Sequence, residues 1–184
     1  MENPWKIISA KDLYDNPWIK LTEFNVVNPS GGKGIYGKVH FKNIAIGIVA
    51  LDLSNNIYLV GQHRFTLNSY SWEIPEGGCP EHEAPLEAAR RELLEETGLH
   101  AAYWQELMRL HLSNSVTDEL AIVYVAKELT QHDNDLEETE DISAVRIPFS
   151  EALNKVLAGE ITDAITVAAI LKMAVSVPEL NQPS

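Results

Sequence analysis

The sequence predicts an α/β fold in which a mixed β-sheet lies between helices, and three observations support it. Apolar segments with the composition of buried strands occupy residues 44–51 and 56–62, joined through a polar turn. An amphipathic helix follows, with apolar residues at helical spacing on one side. Two further helical segments, residues 151–158 and 163–174, close the chain. Strands with helices on either side indicate an α/β/α sandwich.

Before this pattern, residues 18–27 and 35–41 have the composition of strands around a turn at 28–32. We predict an antiparallel hairpin, which is too small to be stable alone. The chain is therefore divided into an N-terminal β region of residues 1–41 and a main domain of residues 42–175. Residues 176–184 form a C-terminal tail, which we expect to be frayed from residue 178.

Local signals define the central helix. Pro85 suits a first helical turn, where its missing N–H costs nothing, and Gly98 suits the left-handed position that ends a helix. A double-glycine turn at Gly77-Gly78 is expected to precede this helix. After it we predict a strand at 120–126, a polar loop at 130–141 and a short strand near Val145.

In the C-terminal part, the helix of residues 151–158 is predicted to end at Gly159. Thr162 is the predicted N-cap of the last helix.

Composition restricts the function classes. The chain has 184 residues, of which 45% are hydrophobic, enough for one sizeable core. Its 27 acidic and 14 basic residues give a formal charge of -13, which argues against a broad nucleic-acid interface. No apolar run approaches membrane-spanning length, and the start lacks the basic-then-apolar pattern of a signal peptide, so we expect a cytoplasmic protein without membrane contact. Cys79 is the only cysteine, so an internal disulfide is impossible.

The acidic residues of the central helix are gathered by geometry. At about 100° per residue, Glu92, Glu95 and Glu96 fall within an arc of roughly 100°. Carboxylates this close repel one another unless a cation lies among them, and their hard oxygens suit Mg²⁺ or Mn²⁺. Taken alone, these glutamates would also fit a solvent-exposed helix face with local ion pairs. The preceding glycine turn, which lets the backbone approach an ion closely, favours a metal site.

The segment from residue 77 to residue 99 carries a family motif. It reads Gly77, five residues, Glu83, seven residues, Arg91-Glu92-Leu93-Leu94-Glu95-Glu96, Thr97, Gly98, Leu99. This resembles the Nudix box of the Nudix hydrolases, G-x5-E-x7-R-E-U-x-E-E-x-G-U with U aliphatic, and all nine specified positions match. The resemblance implies a Nudix-type α/β/α sandwich for residues 42–175 and cleavage of a diphosphate bond.

Weaker motifs outside the box resemble the ADP-ribose and nucleoside-diphosphate-sugar pyrophosphatases. They lie at residues 62–64, 113–119, 137–142 and 159–164. The resemblance implies hydrolysis of a nucleotide sugar to a nucleoside monophosphate and a sugar phosphate, by a homodimer formed through the N-terminal strands. Two alternatives remain open: a Nudix hydrolase of dinucleoside polyphosphates or other nucleotides, and a non-catalytic Nudix-like ligand sensor.

The subfamily likeness also implies metal ligands. By position these are Glu92 and Glu96, with Glu95 sharing a metal or polarising its water, and the backbone carbonyl of Glu76. The expected ion is Mg²⁺, with Mn²⁺ possible. Glu83 is predicted to be the ion-pair partner of Arg91, supporting the site without binding metal.

The same likeness assigns the general base to the acidic loop. Glu138 is the first candidate and Glu140 the second, although such a stretch also fits a solvated connection. Arg64 ends an apolar strand and is predicted to bind phosphate or, alternatively, to form a surface ion pair. Glu119 is a candidate for ribose hydroxyls or metal, and Trp18 either helps to sandwich the base or simply packs.

One position departs from the subfamily. Glu76 stands where ADP-ribose enzymes often have alanine, directly before the first glycine of the box. A backbone ligand survives this change, but the added carboxylate is expected to affect metal or substrate preference.

Overall fold

The computed structural model describes residues 2–131 and 143–182. Within them the chain forms three sheets, three α-helices and a short 3-10 helix. In chain order the elements are β1 (Lys6–Asp15), β2 (Ile19–Val27), β3 (Lys33–Phe41), β4 (Ile44–Ala50), β5 (Asn56–Arg64), β6 (Ser69–Glu73), β7 (Glu76–Cys79), α1 (Pro85–Thr97), β8 (Leu99–His111), β9 (Leu120–Gln131), β10 (Ser143–Pro148), α2 (Phe149–Leu157), α3 (Ala164–Ser176) and the 3-10 helix (Pro178–Asn181).

The predicted mixed sheet is confirmed. Its strand order is β7-β4-β9-β8, in which β4 and β9 are parallel and the other neighbours are antiparallel. A second sheet, β10-β5-β6, is antiparallel throughout. No helix in the described part of the chain is long and apolar enough to cross a membrane.

Strand β4 is buried on both faces and therefore separates two apolar layers. Ile46 and Ile48 belong to the layer that includes Leu93 of α1. Val49 belongs to the opposite layer, with Ile170 of α3. Because neighbouring side chains of a strand point to opposite faces, one continuous apolar segment supplies both layers. Helices on both sides of the sheet give the predicted α/β/α sandwich.

The ends of α1 agree with their sequence signals. Pro85 occupies the first turn, and Gly98 adopts a left-handed conformation with φ of 68°. The N–H of Gly98 donates to the carbonyl of Leu94 at 2.8 Å, which closes the helix. Ala89 and Leu93 are fully buried on the apolar side.

The N-terminal region is a three-stranded antiparallel sheet, β1-β2-β3. The predicted β2–β3 hairpin is confirmed, with Val27 paired to Lys33 across the turn. Strand β1 was not predicted, because it is exposed along its whole length and so lacks the alternation of a half-buried strand.

Three local predictions are wrong, and one further strand was missed. The expected turn at the double glycine is strand β7, which pairs with β4. Strand β8 was missed, because its exposed and half-buried residues do not alternate regularly. The N-cap of α3 is not Thr162 but Asp163, whose carboxylate accepts the N–H of Thr166 at 2.8 Å. Residues 178–181 are not frayed but form the 3-10 helix, in which Leu180 is buried.

Asp118, just before β9, ties the N-terminal sheet to the main domain. Its carboxylate accepts a hydrogen bond from Lys38 at 3.1 Å and from the backbone N–H of Phe41 at 3.2 Å. Nδ1 of His40 lies 2.9 Å from the same carboxylate. Burial opposes ionisation of Asp118, but the contacts with His40, Lys38 and Phe41 together lower its pKa below the ordinary value.

The substitution Asp118→Asn should therefore destabilise the protein in a pH-dependent way. A lowered native pKa contributes stability above the unfolded-state pKa of about 3.9, and this contribution disappears as the pH falls through the native value. Because Asp118 is partly exposed, we expect a loss of about 0.5–1 kcal/mol at pH 7. Urea unfolding of the unmodified protein and of Asp118→Asn between pH 7 and pH 3 measures the difference in their free energies of unfolding. A difference that is constant over this range would contradict the assignment.

Candidate metal and substrate site

A cleft of about 720 Å³ opens where β5, β6, β7 and the start of α3 meet. Three of the residues predicted to bind substrate, Arg64, Glu119 and Trp18, line it. Polar and backbone groups of β6, β7 and the α3 N-terminus complete much of its wall: Ser71, Glu73, Glu76, Gly77, Gly78, Thr162 and Asp163.

Strand β7 lies directly against the acidic face of α1. A Cβ atom added to Gly77 would stand 2.1–2.3 Å from the carboxylate atoms of Glu92, so only glycine leaves room for that carboxylate. The carboxylate of Glu96 accepts the backbone N–H of Glu76 at 2.9 Å. Both glutamates are thereby placed beside the β7 backbone, Glu92 with a 12% exposed side chain and Glu96 buried.

Arg91 lies among the carboxylates that the sequence predicted to be gathered on this face. Its guanidinium donates to Glu83 at 2.9 and 3.2 Å, to Glu92 at 2.7 Å and to Glu95 at 3.0 Å. It also donates to the carbonyl of Gly78 at 2.9 Å. The predicted Glu83–Arg91 pair is confirmed. Its effect is to fix the β7 backbone to α1 at the edge of the site.

Glu83, together with the other carboxylates around it, raises the pKa of Arg91 above its ordinary value, so this guanidinium stays charged. Glu95 differs from the other helix glutamates because its side chain is 46% exposed.

The wall of the cleft contains an ion-pair group that centres on Arg64, whereas Glu92, Glu95 and Glu96 are not among the residues that line the cleft. Nε of Arg64 donates to both carboxylate oxygens of Glu73 at 3.0 and 3.1 Å, and Nη2 donates to Glu76 at 2.8 Å. Of the two alternatives for Arg64, the ion pair is therefore present, although its partners lie in the cleft wall. Burial, followed by the charges of Asp163 and Glu73, raises the pKa of Glu76 well above its ordinary value.

Glu73 and Asp163 were not predicted as site residues. Glu73 is an acid between the apolar residues Trp72 and Ile74, and its side chain is only 3% exposed. A buried charge needs a partner, so an acidic residue between two apolar residues of a strand is the sequence signal that could have identified Glu73. Glu73 and Arg64 are nine positions apart in the sequence, and the pairing of β5 with β6 brings them into contact.

Two further predicted residues lie at the cleft. Glu119 has no ion-pair partner among residues 2–131 and 143–182, and burial raises its pKa. Trp18 is 67% exposed, so of its two alternatives simple packing is not what the structure shows. Its backbone N–H donates to the side chain of Asn16 at 2.9 Å, which orders the β1–β2 turn that carries it. The candidate bases Glu138 and Glu140 lie outside the described residues.

The α1 side of this site has the donor set of a divalent-cation site. Two poorly exposed carboxylates, Glu92 and Glu96, lie against a strand whose glycine leaves space beside them. Carboxylate and carbonyl oxygens are the ligands that Mg²⁺ and similar hard cations prefer.

The box motif, the sandwich and this site together define a class of protein. A family model for the NUDIX domain matches residues 42–167, and the chain belongs to this family. The family prediction is thus confirmed, and with it the prediction of a Nudix-type hydrolase.

Relatives in other organisms are similar over nearly the whole chain. An ADP-ribose pyrophosphatase of Mycobacterium tuberculosis is 34% identical, with 99% of this chain and 89% of the relative aligned. A methanol dehydrogenase activator of Bacillus methanolicus is 30% identical, and an ADP-ribose pyrophosphatase of Bacillus subtilis is 29% identical, each over 90% of both chains.

The solved structure of an ADP compounds hydrolase superimposes with a TM-score of 0.84 over 95% of both chains. At 20% identity this likeness establishes the fold, and it confirms the predicted sandwich.

The substitution Gly77→Ala tests the close approach of β7 to α1. The new methyl group would displace the flexible end of Glu92 and leave the backbone in place, so we expect metal affinity to fall by about 10-fold or more. The free energy of unfolding should change by less than about 1 kcal/mol. Mn²⁺ titration and thermal unfolding measure the two effects. Unchanged Mn²⁺ affinity would show that Glu92 does not need this space.

Proposed function

We propose that the protein is a metal-dependent pyrophosphatase that hydrolyses ADP-ribose, or a related nucleoside diphosphate sugar, to a nucleoside monophosphate and a sugar phosphate. The observation that carries the proposal is the placement of Glu92 and Glu96 against β7, whose residues Glu76, Gly77 and Gly78 line the cleft. The full-length similarity to two ADP-ribose pyrophosphatases supports the substrate class.

In this proposal Glu92 and Glu96 hold Mg²⁺ or Mn²⁺, with Glu95 and the backbone carbonyl of Glu76 as further ligands. When bound, the divalent cation neutralises phosphate oxygens and lowers the pKa of a water molecule toward neutrality. Arg91 orients Glu92 and Glu95 through its hydrogen bonds to both. The N–H of Glu76 holds one oxygen of the Glu96 carboxylate in place beside β7.

Arg64, Glu119 and Trp18 receive roles from their positions in the cleft, whereas Glu138 and Glu140 receive theirs from the resemblance to the subfamily. Arg64 contributes positive charge toward the diphosphate from the wall of the cleft. Glu119 binds ribose hydroxyls, and the exposed ring of Trp18 stacks on the base. Glu138, or else Glu140, takes the proton of the attacking water.

The substrate class is tested by incubating the purified protein and Mg²⁺ with ADP-ribose, GDP-mannose, UDP-glucose, NADH and diadenosine tetraphosphate. We expect the highest kcat/KM for ADP-ribose or another nucleotide sugar, and chromatography should show a nucleoside monophosphate. Preferred cleavage of diadenosine tetraphosphate would contradict the proposal and favour the alternative hydrolase. Binding without turnover would favour a ligand sensor.

The substitution Glu96→Gln removes one metal-binding charge but keeps an oxygen that can accept the N–H of Glu76. We therefore expect turnover to fall by about 100-fold or more while the thermal unfolding temperature stays nearly constant. A matched control is Glu87→Gln, an exposed glutamate of the same helix that pairs with Arg90. Turnover in Glu96→Gln equal to that in Glu87→Gln would remove Glu96 from the site.

We also propose that the protein is a homodimer that forms through the N-terminal sheet. This sheet exposes many large apolar side chains, which is unusual for a surface in contact with water. The residues are Trp5, Ile7, Ile8, Leu13, Tyr14 and Ile35, each between 40% and 69% exposed.

A cytoplasmic location stays a prediction.

The dimer is tested with Ile7→Glu, which places a charge on the exposed apolar sheet. Light scattering after size-exclusion chromatography should give a dimer mass for the unmodified protein and a shift toward monomer for the variant. Thr130→Glu, at an exposed position near the end of β9, is the control and should keep the dimer. A monomeric unmodified protein at micromolar concentration would overturn the proposal.

A further inference from the structure

The two faces of β7 present different chemistry. Gly77 faces the carboxylate of Glu92 on α1. Because neighbouring residues of a strand point to opposite faces, the Glu76 side chain is directed away from α1. It reaches Arg64 of β5, which also holds Glu73 of β6. The Glu76 carboxylate is therefore separated from the glutamates of the box helix by the strand itself.

Three carboxylates meet on this second face. One oxygen each of Glu73, Glu76 and Asp163 lie within 4.8 Å of one another. About nine-tenths of the Glu76 side chain is buried. Its Oε1 accepts a hydrogen bond from Arg64, but its Oε2 is inaccessible to solvent and has no hydrogen-bond partner among the described residues. A buried carboxylate oxygen of this kind needs a proton or a cation to compensate for the loss of water.

The charges of the cluster do not balance among the described residues. Within residues 2–131 and 143–182, Arg64 is the one cation that contacts Glu73 and Glu76, and Asp163 uses one oxygen to cap α3. Carboxylate oxygens within 4.8 Å of one another are close enough to bind one hard cation, whose bonds to oxygen are about 2.0–2.6 Å long. Acidic oxygens alone are suited to Mg²⁺, Mn²⁺ or Ca²⁺ rather than to softer metals.

We propose that Glu73, Glu76 and Asp163 hold a divalent cation on the α3 side of β7, in addition to the cation assigned to Glu92 and Glu96. The site requires a carboxylate at position 76 and therefore depends on the residue that replaces the common alanine. This cation goes beyond the proposed function, because its binding does not depend on which substrate is hydrolysed.

A second cation would also make the electrostatic potential of the cleft more positive. Among the described residues that line the cleft, the charged ones are Arg64 against the four acids Glu73, Glu76, Glu119 and Asp163. An anionic diphosphate would be repelled by this wall without further positive charge. A divalent ion between three of these acids supplies that charge beside Arg64.

The test is a Mn²⁺ titration of the full chain without nucleotide, in which electron paramagnetic resonance measures free Mn²⁺. Glu76→Gln and Asp163→Asn should each bind one Mn²⁺ fewer per chain than the unmodified protein, or bind it at least 10-fold more weakly. Asn is a good N-cap, so Asp163→Asn keeps the start of α3. Glu96→Gln should retain this ion, and the control Glu87→Gln should bind as many Mn²⁺ as the unmodified protein.

Equal Mn²⁺ numbers and affinities in Glu76→Gln, Asp163→Asn and the unmodified protein would overturn the site. Anomalous diffraction from crystals soaked in Mn²⁺ provides a second readout. A peak among Glu73, Glu76 and Asp163 supports the site, and a peak only at the α1 glutamates overturns it. If Mn²⁺ binds at the cluster but no nucleotide sugar is hydrolysed, the cation site stands and the proposed function fails.

Discussion

Strand β7 approaches helix α1 so closely that no side chain fits between Gly77 and the carboxylate of Glu92. This contact helps to fix β7, whose residues Glu76, Gly77 and Gly78 line the cleft. The N–H of Glu76 fixes Glu96, and Arg91 joins the Gly78 carbonyl to the helix. Three short-range interactions thus hold a strand of four residues, which has β4 as its partner in the sheet. Acidic groups are kept close together because a neighbouring guanidinium and backbone donors offset part of their repulsion.

Much of the fold could be predicted where the signals are local. Helix α1 begins at Pro85 and ends before Gly98 because a proline and a glycine each have a strong positional preference there. Strands β4 and β5 are apolar enough to stand out. Strands β1 and β8 could not be found in this way. Their exposed residues carry no regular alternation, and their stability comes from pairing with distant partners, which a local pattern does not reveal.

The candidate site, like the fold, could be predicted only where its residues are close together in the sequence. Glu92 and Glu96 lie on one helix, so their proximity follows from helical geometry. The group around Arg64 joins β5, β6, β7 and the start of α3, and Asp163 comes to it from 99 residues further along the chain. Only tertiary structure brings these charges together. The sequence did indicate that Glu76 is an unusual residue before the box glycine, but not that its carboxylate would be buried on the face opposite α1.

Trp18 belongs to the N-terminal region, yet it lines the cleft of the main domain, and the backbone N–H of Lys42 donates to its carbonyl at 2.9 Å. The boundary at residue 42 therefore separates two sheets but divides one cavity. A substitution in the β1–β2 turn would change the lining of the cleft but leave the carboxylates of α1 beside β7. The N-terminal sheet is thus an integral part of the cavity, and removing residues 1–41 would leave the cleft without one of its sides.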